Sequence, residues 1–239
     1  MNVQLFIPCF VDQLYPQTAF NMIKVLEKAG CTVSYNEQQT CCGQPAFNAG
    51  FRSQAKDVCT KFIKDFSGTD YIVAPSASCV GFVRNYYPTL FGDSSVHKEV
   101  KGLQTRAFEF SEFLVNVLHM EDFGASLNAK ATYHDSCAGL RECHIKSEPR
   151  RLLAKVRGLE LVEMNDVETC CGFGGTFAVK FEAISISMAD QKVTNASHTN
   201  ADYIISTDVS CLMHIEGFAK HKGLPIRTMH LADVLAHGW

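Results

Sequence analysis

The chain has 239 residues, 22 Lys plus Arg against 25 Asp plus Glu, and 46% hydrophobic residues. This is enough apolar material for one large or two fused small domains, and it excludes a disordered tail, a collagen-like repeat and a coiled coil. A near-neutral balance with scattered Lys and Arg argues against a nucleic-acid protein, and no run of about 18 apolar residues predicts a transmembrane helix.

Val3–Pro8 is a short apolar run with strand character. Residues 17–29 place Phe20, Ile23, Val25, Leu26 and Ala29 at helical spacing, and Gly30 is a natural stop. Cys31–Tyr35 reads as the second strand. A Cys-Cys-Gly loop follows, then a helix over 51–66 and a third strand, Tyr71–Ala74. Residues 91–127 join two halves and are expected to be mostly helical, from Phe108 to Leu118. In the second half, strands are expected at Ala131–His134, Leu159–Glu163, Tyr203–Ser206 and Ile226–Met229. Its longest helix is expected from Phe177 to Asn195.

The chain repeats itself. Thr40-Cys41-Cys42-Gly43 returns as Thr169-Cys170-Cys171-Gly172, and Cys9 has a counterpart in Cys137. Asp70-Tyr71-Ile72 returns as Asp202-Tyr203-Ile204, and Ser78-Cys79 as Ser210-Cys211. Alternating strands and helices imply parallel sheets. The expected fold is therefore α/β: two tandem Rossmann-like parallel-sheet repeats, related by internal duplication and packed as one body. The repeats are assigned to 1–127, with the helical connector, and 128–239.

Eleven cysteines are the unusual feature. An odd number, clustered in a chain without a recognisable signal peptide, suggests metal or redox chemistry rather than a disulfide scaffold. The expected location is the cytoplasm, with room for peripheral docking to a membrane complex. Cys9, Cys41, Cys42 and Cys79 fall just past predicted strands, as do Cys137, Cys170, Cys171 and Cys211. The carboxyl ends of parallel strands share one edge, where ligands bind. Each half thus gathers four thiols into one candidate metal site. Four thiolates suit an iron–sulfur cluster or a closed zinc site, and spacing alone leaves both open.

Cys31 and Cys59 read as core, while Cys143 lies close enough in sequence to Cys137 to reach the second site. His134, at a strand end before Asp135 and Cys137, is a candidate for ligation, hydrogen bonding or proton transfer; His144, His214, His230 and Arg141 rank behind it. The glycines at 172, 174 and 175 suit an N–H nest or a tight turn. No Ser-His-Asp spacing, phosphate loop or dinucleotide fingerprint is present.

The doubled order Cys, Cys-Cys-Gly, Cys resembles the cysteine-rich CCG domain family over nearly the whole chain. That domain occurs in heterodisulfide reductase, in the iron–sulfur subunit of glycolate oxidase and in small stand-alone proteins. The opening Ile7-Pro8-Cys9, the run from Ala74 to Gly81 and the chain length are most similar to its lactate-utilization branch. The resemblance implies an oxidoreductase subunit that takes part in oxidising L-lactate to pyruvate. It implies one or two 4Fe–4S clusters held by the eight cysteines, and two companions: a LutB-like ferredoxin-type iron–sulfur protein and a LutC-like protein. The fullest family pattern ends each half in Cys-x-x-Cys, but here the earlier position is Ser76 and Asp208. A fifth thiolate is therefore missing, and Asp208 becomes a candidate oxygen ligand to a cluster or to zinc. The alternatives are a zinc-stapled scaffold of a redox complex, a subunit of a glycolate oxidase or heterodisulfide reductase-like complex, and a thiol–disulfide enzyme using its vicinal cysteines.

Overall fold

The computed structural model describes residues 1–92 and 95–238. Among these residues eight strands form two parallel four-stranded sheets. The first is ordered β2-β1-β3-β4, from β1 (Asn2–Leu5), β2 (Thr32–Tyr35), β3 (Tyr71–Ala74) and β4 (Ala107–Glu109). The second is ordered β6-β5-β7-β8, from β5 (Ser126–Tyr133), β6 (Arg157–Leu161), β7 (Tyr203–Ser206) and β8 (Arg227–His230). The same order twice is the architecture expected of a duplicated α/β chain.

The halves share a core cluster. Val3, Leu5, Val73 and Phe113 of the first half join Ala131, Tyr133, Ile205 and Leu231 of the second in a single buried apolar cluster. Sharing that core removes apolar surface from water that either half alone would expose.

The connector departs from expectation. Its apolar spacing suggested one helix over 108–118; instead Ala107–Glu109 is strand β4, followed by a short helix and a π-helical turn at Phe113–Val117. Pairing with β3, Ile72 opposite Ala107, outweighs the local helical pattern. Glu109 ends this strand fully buried, and one carboxylate oxygen accepts from the Ser111 and Glu112 amides. Burial pushes its carboxyl up to about 8. The expected helix over 177–195 is also divided, into Thr176–Lys180 and Glu182–Ser197, by Phe181 at φ −130° and ψ 51°.

The halves meet tightly beside the carboxyl edges. Ser76 and Asp208 occupy matching positions before the helices Ala77–Asn85 and Val209–His221, and they form an antiparallel bridge with each other. One Asp208 oxygen, Oδ1, accepts from Ser76 Oγ at 2.8 Å, Ser78 Oγ at 2.9 Å and Ser78 N at 3.2 Å. Asp208 thus caps a helix of the opposite half rather than its own. Its other oxygen, Oδ2, is buried without a hydrogen-bond partner among the described residues.

Candidate metal centres

In the first half, Cys9 opens the helix Cys9–Leu14 after β1, Cys41 and Cys42 lie in the loop after β2, and Cys79 sits in the first turn of Ala77–Asn85. The fold brings these thiols into one chain of contacts. Cys9 Sγ lies 3.9 Å from Cys41 Sγ, and Cys42 Sγ lies 3.4 Å from Cys79 Sγ. Cys41 and Cys42 are neighbours in the chain and link these two contacts. In the second half the ligating atoms of Cys171 and Cys211 lie within 4.8 Å of each other, and Cys137 and Cys170 occupy the positions equivalent to Cys9 and Cys41. All eleven cysteines are free. The first vicinal pair is engaged with two further thiols, as a four-donor site requires and an isolated redox pair does not.

The glycine after each pair has a definite task. Gly43 has φ +92°, and a Cβ there would come 2.8 Å from Cys59 Sγ. Gly172 has φ +93°, and its Cβ would meet Ser185 O at 2.6 Å. Only glycine adopts this backbone without both strain and collision. The turn then aims Gly43 N at Cys41 Sγ and Gly172 N at Cys170 Sγ, each at 3.4 Å. Gly174 and Gly175 also have positive φ and turn the chain into Thr176–Lys180.

Supporting residues pin the loops. Gln39 accepts from Ile7 N at 2.8 Å and donates to Leu5 O at 3.2 Å, tying the first Cys-Cys loop to β1. Tyr87 Oη donates to Cys42 O at 2.8 Å. In the second half, Arg150 makes a two-pronged contact with Asp135 at 2.9 and 3.0 Å, and a further contact with Glu163. That fork fixes the segment that carries His134 and Cys137.

The thiols do not share one protonation state. Hydrogen bonds from Cys42 and Cys9, with help from Gly43 N, bring Cys41 down to about 3. Those from Cys137 and Cys171, with Gly172 N, bring Cys170 down to about 2. Donating those bonds pushes Cys9, Cys42, Cys137 and Cys171 up, and burial adds to it. The latter four hold protons at neutral pH and must release them to bind a metal. Protons therefore compete with the metal, and uptake tightens as pH rises. With at least two such thiols in each half, apparent affinity is expected to rise at least about a hundredfold per pH unit near neutrality. Titrations against a competing chelator across that range measure the slope, and a flat profile would remove these thiols from the ligand set.

The donor set fits soft-metal chemistry. Sulfurs ~2.3 Å from one tetrahedral ion stand about 3.8 Å apart, near the separations in the first half. A cluster of several metal atoms holds its thiolates farther apart, which the half-exposed Cys9 and Cys41 can accommodate more readily than the buried Cys42.

Other candidates fall elsewhere. Cys59 is buried and donates to Cys42 O at 3.4 Å, and Cys31 lies in the shared core. Cys143 does not join the second set: its thiol donates to Ala77 O at 3.4 Å and packs in the first half's core. Helix Cys137–Arg141 crosses towards Ala77–Asn85 and carries that residue away. His214 lies 3.2 Å from Ser185 Oγ, His230 Nδ1 accepts from Ala232 N, and His144 is exposed. Arg141 lines an open cleft of about 540 Å³ with Asp166, Glu168, Thr169 and Cys170. His134 is completely buried, and its ligating atom lies within 4.8 Å of those of Cys171 and Cys211. Burial, then the Lys192 charge, holds its imidazole down at about 3, against the opposing pull of Cys170.

Lys192 was not singled out by any sequence pattern. It is fully buried and donates to Asp166 O at 2.8 Å and Val167 O at 3.0 Å. The one signal in the sequence is its place in the stripe of Ser185, Ala189, Val193 and Ala196, the inward face of its helix.

Among the described residues, no helix is long and apolar enough to cross a membrane. The cysteine-rich CCG domain family matches residues 3–84 and 131–216, one match in each half. Lactate utilization protein A of Geobacillus thermodenitrificans is 44% identical over 237 residues, 99% of both chains. The protein of that name from Halalkalibacterium halodurans is 46% identical over 99% of this chain and 97% of its own. Lactate utilization protein A 2 of Bacillus cereus is 42% identical over 100% of this chain and 99% of its own. A hypothetical protein from Helicobacter pylori shares the fold at TM-score 0.63 and 13% identity; the match spans all of this chain and 49% of that one. With both halves matched and near-complete relatives above 40% identity, the chain belongs to the cysteine-rich CCG domain family, among the lactate utilization A proteins.

Proposed function

We propose that the protein is the iron–sulfur redox subunit of an L-lactate utilization system, passing electrons from oxidation of a 2-hydroxy acid to an acceptor. The observation that carries the reading is the doubled four-thiol constellation at the carboxyl edges of two equivalent sheets. The names of its near-full-length relatives supply the substrate class. Each repeat, 1–127 and 128–239, holds one centre: Cys9, Cys41, Cys42 and Cys79 in the first, Cys137, Cys170, Cys171 and Cys211 in the second. A bound 4Fe–4S cluster supplies one-electron chemistry. The protein's own part is to present the thiolates, to donate Gly43 and Gly172 N–H groups to sulfur, and to keep the inner ligands dry. The electron donor and acceptor sit on companions, a LutB-like ferredoxin-type protein and a LutC-like protein, assembled in the cytoplasm where thiols stay reduced.

Protein purified without oxygen is expected to contain about four or eight iron and sulfide per chain, with a visible band that bleaches on reduction. Mixed with its companions, it should then support lactate-dependent reduction of an acceptor. Zinc without sulfide, persisting after anaerobic reconstitution with iron and sulfide, would overturn the reading. The S···S separations of 3.9 and 3.4 Å favour a second reading, a zinc-stapled scaffold, in which chelation unfolds the chain and no redox band exists.

A further inference from the structure

The two halves differ behind their thiols. Phe6 N donates to Val73 O at 3.0 Å, and His134 N donates to Ile205 O at 2.8 Å. These are equivalent bonds between equivalent strands, so His134 stands where the first half has Phe6. The helices after the Cys-Cys-Gly loops start from Phe51 and Phe181. Counting from those starts, Lys192 stands where the first half has Phe62. In the first half the two rings pack edge-on at 4.8 Å, backed by Phe66 at 5.6 Å. The second half replaces this apolar wall with an imidazole and an ammonium, both fully buried.

Such a replacement destabilises the fold unless the polar groups find partners. Lys192 has its two carbonyls. His134 has none for its ring among the described residues: Nδ1 and Nε2 are both buried without a hydrogen bond. Its backbone is anchored at both ends, since Ser206 Oγ donates to His134 O at 2.9 Å. The ring therefore cannot swing out to water without breaking β5 from β7. Its ligating atom already lies within 4.8 Å of those of Cys171 and Cys211. Ligand atoms around one tetrahedral ion stand about 3.5–3.8 Å apart, so the three need close by only about one ångström.

We propose that His134 is a protein ligand of the second centre, which then has a mixed thiolate–imidazole donor set, while the first has thiolates alone. The inference rests on reading the second thiol set as a metal centre, but not on which metal fills it. The imidazole is a neutral donor, and Lys192 places a positive charge behind the thiolates. That charge makes reduced metal at this centre easier to reach than at the first. The duplicated chain thereby becomes a directional pair: two centres of one origin held at different potentials.

Co2+ alone, added without oxygen to the reduced, metal-free full-length chain, tests the ligand without any need for sulfide. The wild type is expected to bind two Co2+, one of which shows nitrogen hyperfine coupling in pulsed EPR. His134→Cys keeps a ligating side chain; two Co2+ should still bind, and the nitrogen coupling should vanish. His134→Phe, the residue found in the first half, should weaken one of the two Co2+ at least tenfold and leave the other unchanged. Absence of nitrogen coupling in the wild type, or its persistence in His134→Cys, would overturn the proposal. The iron and sulfide assay fails separately: nitrogen-coupled Co2+ in a chain that never takes sulfide would overturn the iron–sulfur reading and leave His134 a ligand. A chain that takes no Co2+ at all would overturn the proposal directly.

Discussion

Cys42→Ser is expected to lower bound metal by about half, whereas Cys59→Ser leaves it unchanged. Both residues are fully buried, both belong to the same apolar cluster, and Cys59 touches Cys42 through the latter's carbonyl. Burial therefore does not separate them; donor geometry does. Cys42 Sγ stands 3.4 Å from Cys79 Sγ, and Cys42 adjoins Cys41 in the chain, at the centre of the first thiol set. Cys59 Sγ faces a backbone oxygen, and burial keeps its thiol at about 11. A serine at 42 leaves one centre of two without an inner thiolate, while a serine at 59 buries a hydroxyl at about 1–3 kcal/mol. Metal analysis of both variants beside the wild type gives the result, and equal content in all three would remove Cys42 from the site. The matching variant Cys171→Ser should empty the other centre.

The second large effect is expected at the junction. Asp208→Ala should destabilise the protein by about 2–4 kcal/mol, because Ser76 Oγ, Ser78 Oγ and the Ser78 amide lose their common acceptor in a dry environment. Asp208→Asn retains one oxygen in place of Oδ1 and should cost much less. The loss should also reach the first metal centre, since Ser78 precedes Cys79 in the helix turn that Asp208 caps. Denaturant unfolding of the two variants, each with and without metal, separates the effects. Equal stability of Asp208→Ala and wild type would show that the junction contributes nothing to the union of the halves. Asp208 thus has a role in joining the repeats that its alignment with a cysteine position did not suggest.

The cysteines are the clearest instance of what can be read from the residues alone. Post-strand loops of a parallel sheet converge on one edge for any sequence that folds this way, so the spacing of Cys9, Cys41, Cys42 and Cys79 already placed them together. The strands Tyr71–Ala74 and Tyr203–Ser206 were equally plain, being short apolar runs bounded by turn residues. Strand β4 was not. Three residues carry no periodicity, and the apolar spacing beyond them suits a helix; only the free edge of β3 makes Ala107–Glu109 a strand. The place of Cys143 was not legible for a related reason, since sequence distance from Cys137 does not reveal that the chain after helix Cys137–Arg141 packs into the other half.

By itself, then, the sequence determined the α/β class and the internal duplication and pointed to two sets of four thiols, because each depends on short-range pattern and on an edge shared by all parallel strands. Tertiary structure alone decided the rest. It paired Ser76 with Asp208 across the halves, buried Lys192 and His134 behind the second thiol set where Phe62 and Phe6 back the first, and sent Cys143 to the opposite core. Those outcomes turn on which distant groups lose their water to each other, and a buried polar side chain takes its role from the partner it meets there.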